Sequence, residues 1–224
     1  MYLIIFIGIA LFSYIAQAHL QNTFKKYSTV PVLGGARGCD VALKMLHDNG
    51  LTNIRVTHVE GHLTDHYDPV KKTVNLSIDV YNGTNITAAA VAAHECGHAV
   101  QHAKAYAPLK MRSVLVPIVS FASRWVTWIL LLGIFLMETT PQIMILGIVL
   151  FALTTLFSFI TLPVEIDASR RALAWLSSSG FVDNRTAKPA EELLKSAAYT
   201  YVVAALASLG TLIYYLMIFM GRKK

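Results

Sequence analysis

The sequence predicts a mainly α-helical membrane protein, with about four transmembrane helices and a small α+β domain at the membrane surface. Three observations carry this reading. Of 224 residues, 55 % are hydrophobic and 14 % charged, against about 25 % charged in an ordinary soluble domain. The apolar residues fall in blocks near the length, about 20 residues, that a helix needs to cross a bilayer. Between the first and second blocks lies a polar half, residues 19–112, with both helix-like and strand-like stretches.

Residues 2–18 (YLIIFIGIALFSYIAQA) form the first block. Ala16-Gln17-Ala18 resembles a cleavage site, but no basic residue precedes the block and Lys25 and Lys26 follow it. The expectation is therefore an uncleaved anchor over residues 1–18 with its N-terminus outside. Residues 36–49 carry apolar side chains at helical spacing and stop at Gly50. Ile54, Val56 and Val59 begin a strand, TDHYDP (64–69) reads as a turn, and Thr73, Val74, Leu76 and Ile78 read as a returning strand. Residues 86–105 (ITAAAVAAHECGHAVQHAKA) are rich in alanine, the best helix former. Thr84, Asn85 and Thr87 offer N-cap oxygens, and Pro108 stands just past the end. Gly97 costs about 1 kcal/mol in a helix interior, so it is expected to admit a close neighbour.

The second span lies within residues 113–137. Arg124 must snorkel or face protein there, and Trp125 and Trp128 suit the membrane boundary. The turn ETTP (138–141) leads to a third span over 142–162, so residues 113–163 make a transmembrane hairpin. A separate polar helix is expected over 164–177, ended by serines and Gly180. Pro189 then opens a helix with Glu191 and Glu192 at its favourable end. Residues 164–197 form this outer helix and loop, and the last helix runs into a fourth span over 198–220.

The net charge of +6 and pI near 9.3 suit contact with anionic lipid headgroups. The basic residues form no stripe interleaved with aromatics, so nucleic acid is not an expected partner. Lys and Arg number ten in residues 19–112, five in 163–200 and none in 138–142. That asymmetry predicts a multi-pass protein of the cell membrane with both polar segments in the cytoplasm. With four spans, Arg222, Lys223 and Lys224 fall on the other side. Four N-x-S/T sequons (Asn75, Asn82, Asn85, Asn184) would point to a glycosylated exterior instead. Two cysteines, Cys39 and Cys96, are too few for a disulfide framework and are expected as free thiols. Nothing in the sequence sets an oligomeric state.

The alanine-rich helix contains His94-Glu95-Cys96-Gly97-His98, an H-E-x-x-H motif. Positions i and i+4 share one helix face, so both imidazoles can reach one ion. Glu95, one residue round, sits beside that ion, where a carboxylate can act as base toward an activated water. A chance match somewhere in such a chain is roughly a one-in-a-hundred event. Cys96 sits inside the motif but is not expected to be a nucleophile.

Catalytic zinc takes three protein ligands and keeps an open position. The hairpin returns the chain after Leu162 to the side of the His94 helix, and that segment opens with VEIDASRR. Glu165 could complete a His, His, Glu set, or be a solvated acid on a first helical turn. Asp167 could accept a hydrogen bond from the distal nitrogen of either histidine, or pair with Arg170 or Arg171. His102, one turn beyond His98, could back the site or be an ordinary surface or core histidine. Tyr199 and Tyr201, where the fourth span begins, could hold an oxyanion or simply belong to the interface belt. His58, His62 and His66 recur at every fourth position and raise the question of a second metal site.

AAHECGHAVQHA, preceded by LTDHYDP and SIDVYNG and followed by LPVEIDASRRAL, resembles the bacterial YugP-like neutral zinc metallopeptidases, over about residues 31–218. The resemblance implies a zincin-like domain of gluzincin type in residues 19–112, held at the membrane. It also implies one Zn2+ bound by His94, His98 and Glu165, Glu95 as general base, and hydrolysis of peptide bonds. The chain is similar more loosely to HtpX-like membrane peptidases, which carry E-x-x-x-D after the third span. Here position 169 is Ser, and Asp167 is displaced by two residues.

Two other readings compete. In an intramembrane, site-2-type protease the metal helix lies in the bilayer; the short apolar run before His94, with Lys104 and Lys110 after the helix, weighs against it. A catalytically inactive, zinc-dependent membrane scaffold would have no use for Glu95. The expected partners are the lipid bilayer and a peptide or protein substrate, which an edge strand of the short sheet could hold by backbone pairing.

Overall fold

The computed structural model describes residues 2–221, with side chains from residue 7 onward. The chain forms two compact units. One takes the residues up to Tyr14, Ala107–Pro163 and those from Tyr201 on; the other takes Ile15–Tyr106 and Val164–Thr200.

The first unit is apolar and helical. Among the described residues, three helices are long and apolar enough to cross a membrane: α5 (Ala107–Phe135), α6 (Pro141–Ser179) and α7 (Ala187–Gly221). That is one fewer than the four spans expected. The first apolar block does belong to a helix, α1 (Tyr2–Tyr27), but part of the expected anchor, Met1 and the side chains of residues 2–6, lies outside the described residues. Pro108 sits in the first turn of α5, where a missing N–H breaks no helical bond. Glycines let α5 and α6 pack backbone to backbone. A Cβ on Gly133 would meet Met144 Cα at 2.7 Å, and one on Gly147 would meet Leu130 at 2.7 Å. A hydroxyl pair, Thr155 Oγ1 and Ser208 Oγ at 2.7 Å, ties α6 to α7. Arg124 is exposed on α5.

The expected break between the third span and a polar helix is absent. α6 is one helix through residue 179, with Pro163 inside it. A proline removes one backbone bond, and the helical stretches on both sides carry the turn across it.

The second unit is built on a three-stranded sheet: β1 (Arg55–Val59), β2 (His66–Asp68) and β3 (Thr73–Ser77), in the order β1-β3-β2. Two expectations are corrected here. The TDHYDP segment is not only a turn, because His66, Tyr67 and Asp68 pair antiparallel with Asn75, Val74 and Thr73. The turn comes after it, where Asp68 Oδ1 accepts from the N–H groups of Val70 and Lys71, both at 2.9 Å. The strand at 73–77 runs parallel to β1, not back along it, because β2 supplies the reversal. As the central strand, β3 is buried at every position, so its sequence shows no clean alternation.

Around the sheet pack α2 (Gly38–Asp48), α3 (Ile78–Asn82) and α4 (Ile86–Ala103). Of the three N-cap candidates of α4, Asn85 is the one used: its Oδ1 accepts from Ala88 N–H at 2.9 Å. A Cβ on Gly38 would lie 2.1 Å from Val80 O, so α2 and α3 meet where a side chain would not fit. The core joins Val41, Met45 and Leu46 of α2, Val74 and Leu76 of β3, and the alanine face of α4. Cys39 and Cys96 are buried and free, as expected.

Candidate metal centre

The alanines of α4 let neighbouring elements press against it, and thirteen of its eighteen residues are buried. At Gly97 the approach is closest. A Cβ there would meet Ala168 O at 2.6 Å and Ala168 Cα at 3.1 Å. Gly97 thus lets the part of α6 beyond Pro163 lie against the histidine face of α4, and Glu165 is on that part.

The three side chains converge. Glu165 Oε2 lies 3.3 Å from His94 Nε2 and 3.5 Å from His98 Nε2. The two rings stand edge to face, with centroids 4.8 Å apart and planes at 84°. One ligand atom from each residue falls within 4.8 Å of the other two. Glu165 is 2 % exposed, which a lone carboxylate would not tolerate without cationic or hydrogen-bonding partners. Two imidazoles and a carboxylate match the donor set of a catalytic zinc site. Glu95 is next to His94 on α4 and 8 % exposed.

The electrostatics follow from this packing. Burial pushes the Glu165 carboxyl up, but hydrogen bonds from His94 and His98 and their charge outweigh it, holding the group well below the ordinary range. Burial pulls His98 down, and the Glu165 hydrogen bond with the charges of Glu95 and Glu165 turns the balance upward. Asp65, in the loop before β2, is raised by burial and by the nearby charge of Glu95, although Ser77 donates to it from N–H at 2.7 Å and from Oγ at 3.2 Å. Burial pushes the Cys96 thiol well up, which leaves it protonated and inert.

Behind the histidines lies a shell that sequence reasoning only partly found. Asp167 touches neither imidazole; it binds Arg170 at 2.5 Å, Arg171 at 2.6 Å and Gln101 Nε2 at 2.9 Å. Gln101 in turn meets His98 Nδ1 at 3.1 Å. Ser169 Oγ meets His94 Nδ1 at 3.1 Å, so the residue that departs from the E-x-x-x-D pattern is itself the partner of His94. A polar residue three positions after His98 on a buried alanine-rich face was the available signal for Gln101.

The other candidates lie elsewhere. His102 is exposed and its Nδ1 lies 3.2 Å from Tyr67 Oη on β2. Tyr199 is 66 % exposed and lines a cavity of about 450 Å³ with His19, Lys26 and Lys195. Tyr201 belongs to the apolar unit and is 38 % exposed. His58, His62 and His66 form no donor cluster among the described residues. His66 Nδ1 donates to Thr64 O at 2.8 Å and its Nε2 faces Asn75 Nδ2 at 3.1 Å, so both nitrogens are used. His58 packs edge-on against Tyr81, and His62 lies tilted against Phe24.

Helices apolar enough to cross a membrane, together with a His, His, Glu cluster able to hold a metal ion, point to the class of membrane zinc peptidases. Residues 2–220 match the family model described as "Putative neutral zinc metallopeptidase", and the chain belongs to that family. It is 43 % identical over 221 residues to "Putative membrane protease YugP" of Bacillus subtilis (strain 168), a match covering 98 % of this chain and 97 % of the relative. No solved structure matches the chain. α4 is not among the helices apolar enough to span a membrane, so the intramembrane reading is not favoured.

Proposed function

We propose that this chain is a zinc-dependent metalloendopeptidase of gluzincin type in the cell membrane, with its polar unit in the cytoplasm. The observation that carries it is the convergence of Glu165 on the H-E-x-x-H pair, from a residue 67 positions beyond His98. His94, His98 and Glu165 would hold a single zinc ion. When bound, zinc supplies Lewis-acid chemistry, lowering the pKa of water towards about 7 and polarising a carbonyl oxygen. Glu95 takes a proton from the water as its oxygen bonds to the scissile carbonyl carbon. As the C–N bond breaks, Glu95 returns that proton to the leaving amine. The substrate is a peptide or protein segment, and β2 offers a free edge for it. β2 is an edge strand whose outer backbone groups have no strand partner among the described residues, and its Tyr67 reaches His102 of α4.

The cytoplasmic side is supported by the charge count and by two sequons already committed within the fold. Asn75 is buried and accepts from Thr57 Oγ1 at 2.7 Å, and Asn85 caps α4. The deciding experiment compares the proteomes of cells carrying the wild-type chain and the Glu95→Gln form. Proteins should accumulate in the latter, and purified wild-type chain should cleave them only with zinc present. Identical proteomes, with no cleavage of any peptide library by zinc-loaded protein, would leave a zinc-binding scaffold as the surviving reading.

A further inference from the structure

Resting on the proposed metal centre, we infer that Gln101 is a positioning residue that fixes the tautomer and orientation of His98, anchored through Asp167 to the same stretch of α6 that carries Glu165. Gln101 is 0 % exposed, a costly place for an amide unless every polar atom is matched. It is matched, and in only one way. Its Nε2 donates twice, to Val164 O at 2.8 Å and to Asp167 Oδ2 at 2.9 Å. Both acceptors lack a proton to give, so the amide cannot be turned over: the nitrogen faces α6 and Oε1 faces His98. Oε1 can only accept, so His98 Nδ1, 3.1 Å away, must carry the proton. An imidazole that binds a metal is neutral with one N–H, so with that proton on Nδ1 the nitrogen left for a metal is Nε2, the atom that faces Glu165 at 3.5 Å; in the metal-free chain Nε2 is free to carry a second proton toward Glu165. The tautomer a metal ligand requires is thus dictated from behind the ring.

The anchoring is equally one-sided. Asp167 is 4 % exposed, and Arg170 and Arg171 hold its oxygens at 2.5 and 2.6 Å, leaving Oδ2 shared with Gln101. Arg171 is itself stacked 5.8 Å from the Tyr106 ring. The relay therefore runs His98, Gln101, Asp167, arginine. Asp167 sits two residues from Glu165 on α6, so the approach of α6 that delivers the carboxylate also sets the second imidazole. His94 has only a rotatable hydroxyl, Ser169 Oγ, which can accept or donate and dictates no tautomer. His98 is the preorganised member of the pair.

The test uses the full-length chain in detergent, zinc titrated against a chelator, and 15N spectra of histidine-labelled protein. Gln101→Met keeps length and flexibility without hydrogen bonds. It should weaken zinc binding about 10- to 100-fold while the melting temperature of the zinc-free protein changes little. Gln101→Glu alone sets a carboxylate against Val164 O and Asp167 and should weaken zinc similarly. Adding Asp167→Asn supplies a donor to that carboxylate and should restore most of the affinity, which a merely space-filling role would not do. In zinc-free wild-type protein, the His98 spectrum should show Nδ1 protonated whether the ring is neutral or charged. Wild-type zinc affinity in Gln101→Met, no recovery in the double variant, or a His98 Nδ1 without a proton would each overturn the role. A wild-type chain that binds no zinc would overturn the metal-centre reading instead, and the spectrum of that zinc-free protein still decides the role of Gln101.

Discussion

Single residues set the chemistry of this chain by what they exclude. Glu95 shares its helix turn with His94 but is not one of the three side chains that converge, so removing its negative charge should leave the cluster intact. Glu95→Gln is expected to retain zinc, measured by metal analysis of the purified protein, and to lose roughly 10²–10⁴-fold in turnover. An active Glu95→Gln enzyme would refute its role as base. Glu165→Ala removes a proposed ligand, and metal analysis should show zinc lost on dialysis that wild type survives. Asp65 carries a different load. Its folded pKa is raised, so ionisation costs stability, and that cost is present above the ordinary carboxyl range and relieved as pH falls into it. Asp65→Asn can keep both bonds to Ser77 without the buried charge. At neutral pH it should raise the melting temperature by roughly 2–4 °C, the value of about 1 kcal/mol in a chain of this size. No change, or a drop, would show that the charge is accommodated.

The pairing of α4 with α6 is where the element scale matters. Gly97 costs helix propensity within α4 and returns close packing on Ala168. Gly97→Ala improves the isolated helix but drives a Cβ to within 2.6 Å of a backbone oxygen, which has no rotamer to escape into. The expected result is a loss of about 1–3 kcal/mol in stability together with weaker zinc retention, since moving α6 outward moves Glu165 with it. Normal zinc affinity in Gly97→Ala would mean that the helices tolerate separation. This pairing was half legible. Alanine richness, the N-cap and the conspicuous glycine mark α4 and predict a close neighbour, but which element fills that place depends on contacts 71 residues away, as between Gly97 and Ala168. The same holds for the sheet. Periodicity shows where β1 and β3 begin, while the three-residue β2 is too short to carry a pattern and only its pairing partner defines it.

On the scale of the whole molecule, buried carboxylates govern the response to acid. Glu165 and Asp167 both have folded pKa values below their ordinary ones: for each, burial pulls upward and its hydrogen bonds, from His94 and His98 or from Gln101, Arg171 and Arg170, prevail. Depressed values mean that their stabilisation is complete above the ordinary carboxyl range and fades as pH falls through and below it. Melting curves of zinc-free protein should therefore hold steady from neutrality to about pH 5 and fall steeply below about pH 4. In an Asp167→Asn variant the acid-induced fall should be shallower. The apolar helices α5, α6 and α7 predict that the protein stays in the membrane pellet after alkaline carbonate washing and is released by detergent. Recovery in the carbonate supernatant would contradict spanning.

The sequence by itself determined the apolar blocks, the alanine-rich helix with its H-E-x-x-H motif, and the candidacy of Glu165, because helical periodicity and residue chemistry are local properties. Tertiary structure alone decided that Glu165 faces both histidines, that α6 passes unbroken through Pro163, that β3 lies parallel to β1, and that Gln101 and Ser169 stand behind the imidazoles. Each of these depends on how closely two distant backbones can approach, and that distance is set by packing at Gly97 and in the core rather than by any pattern within one segment.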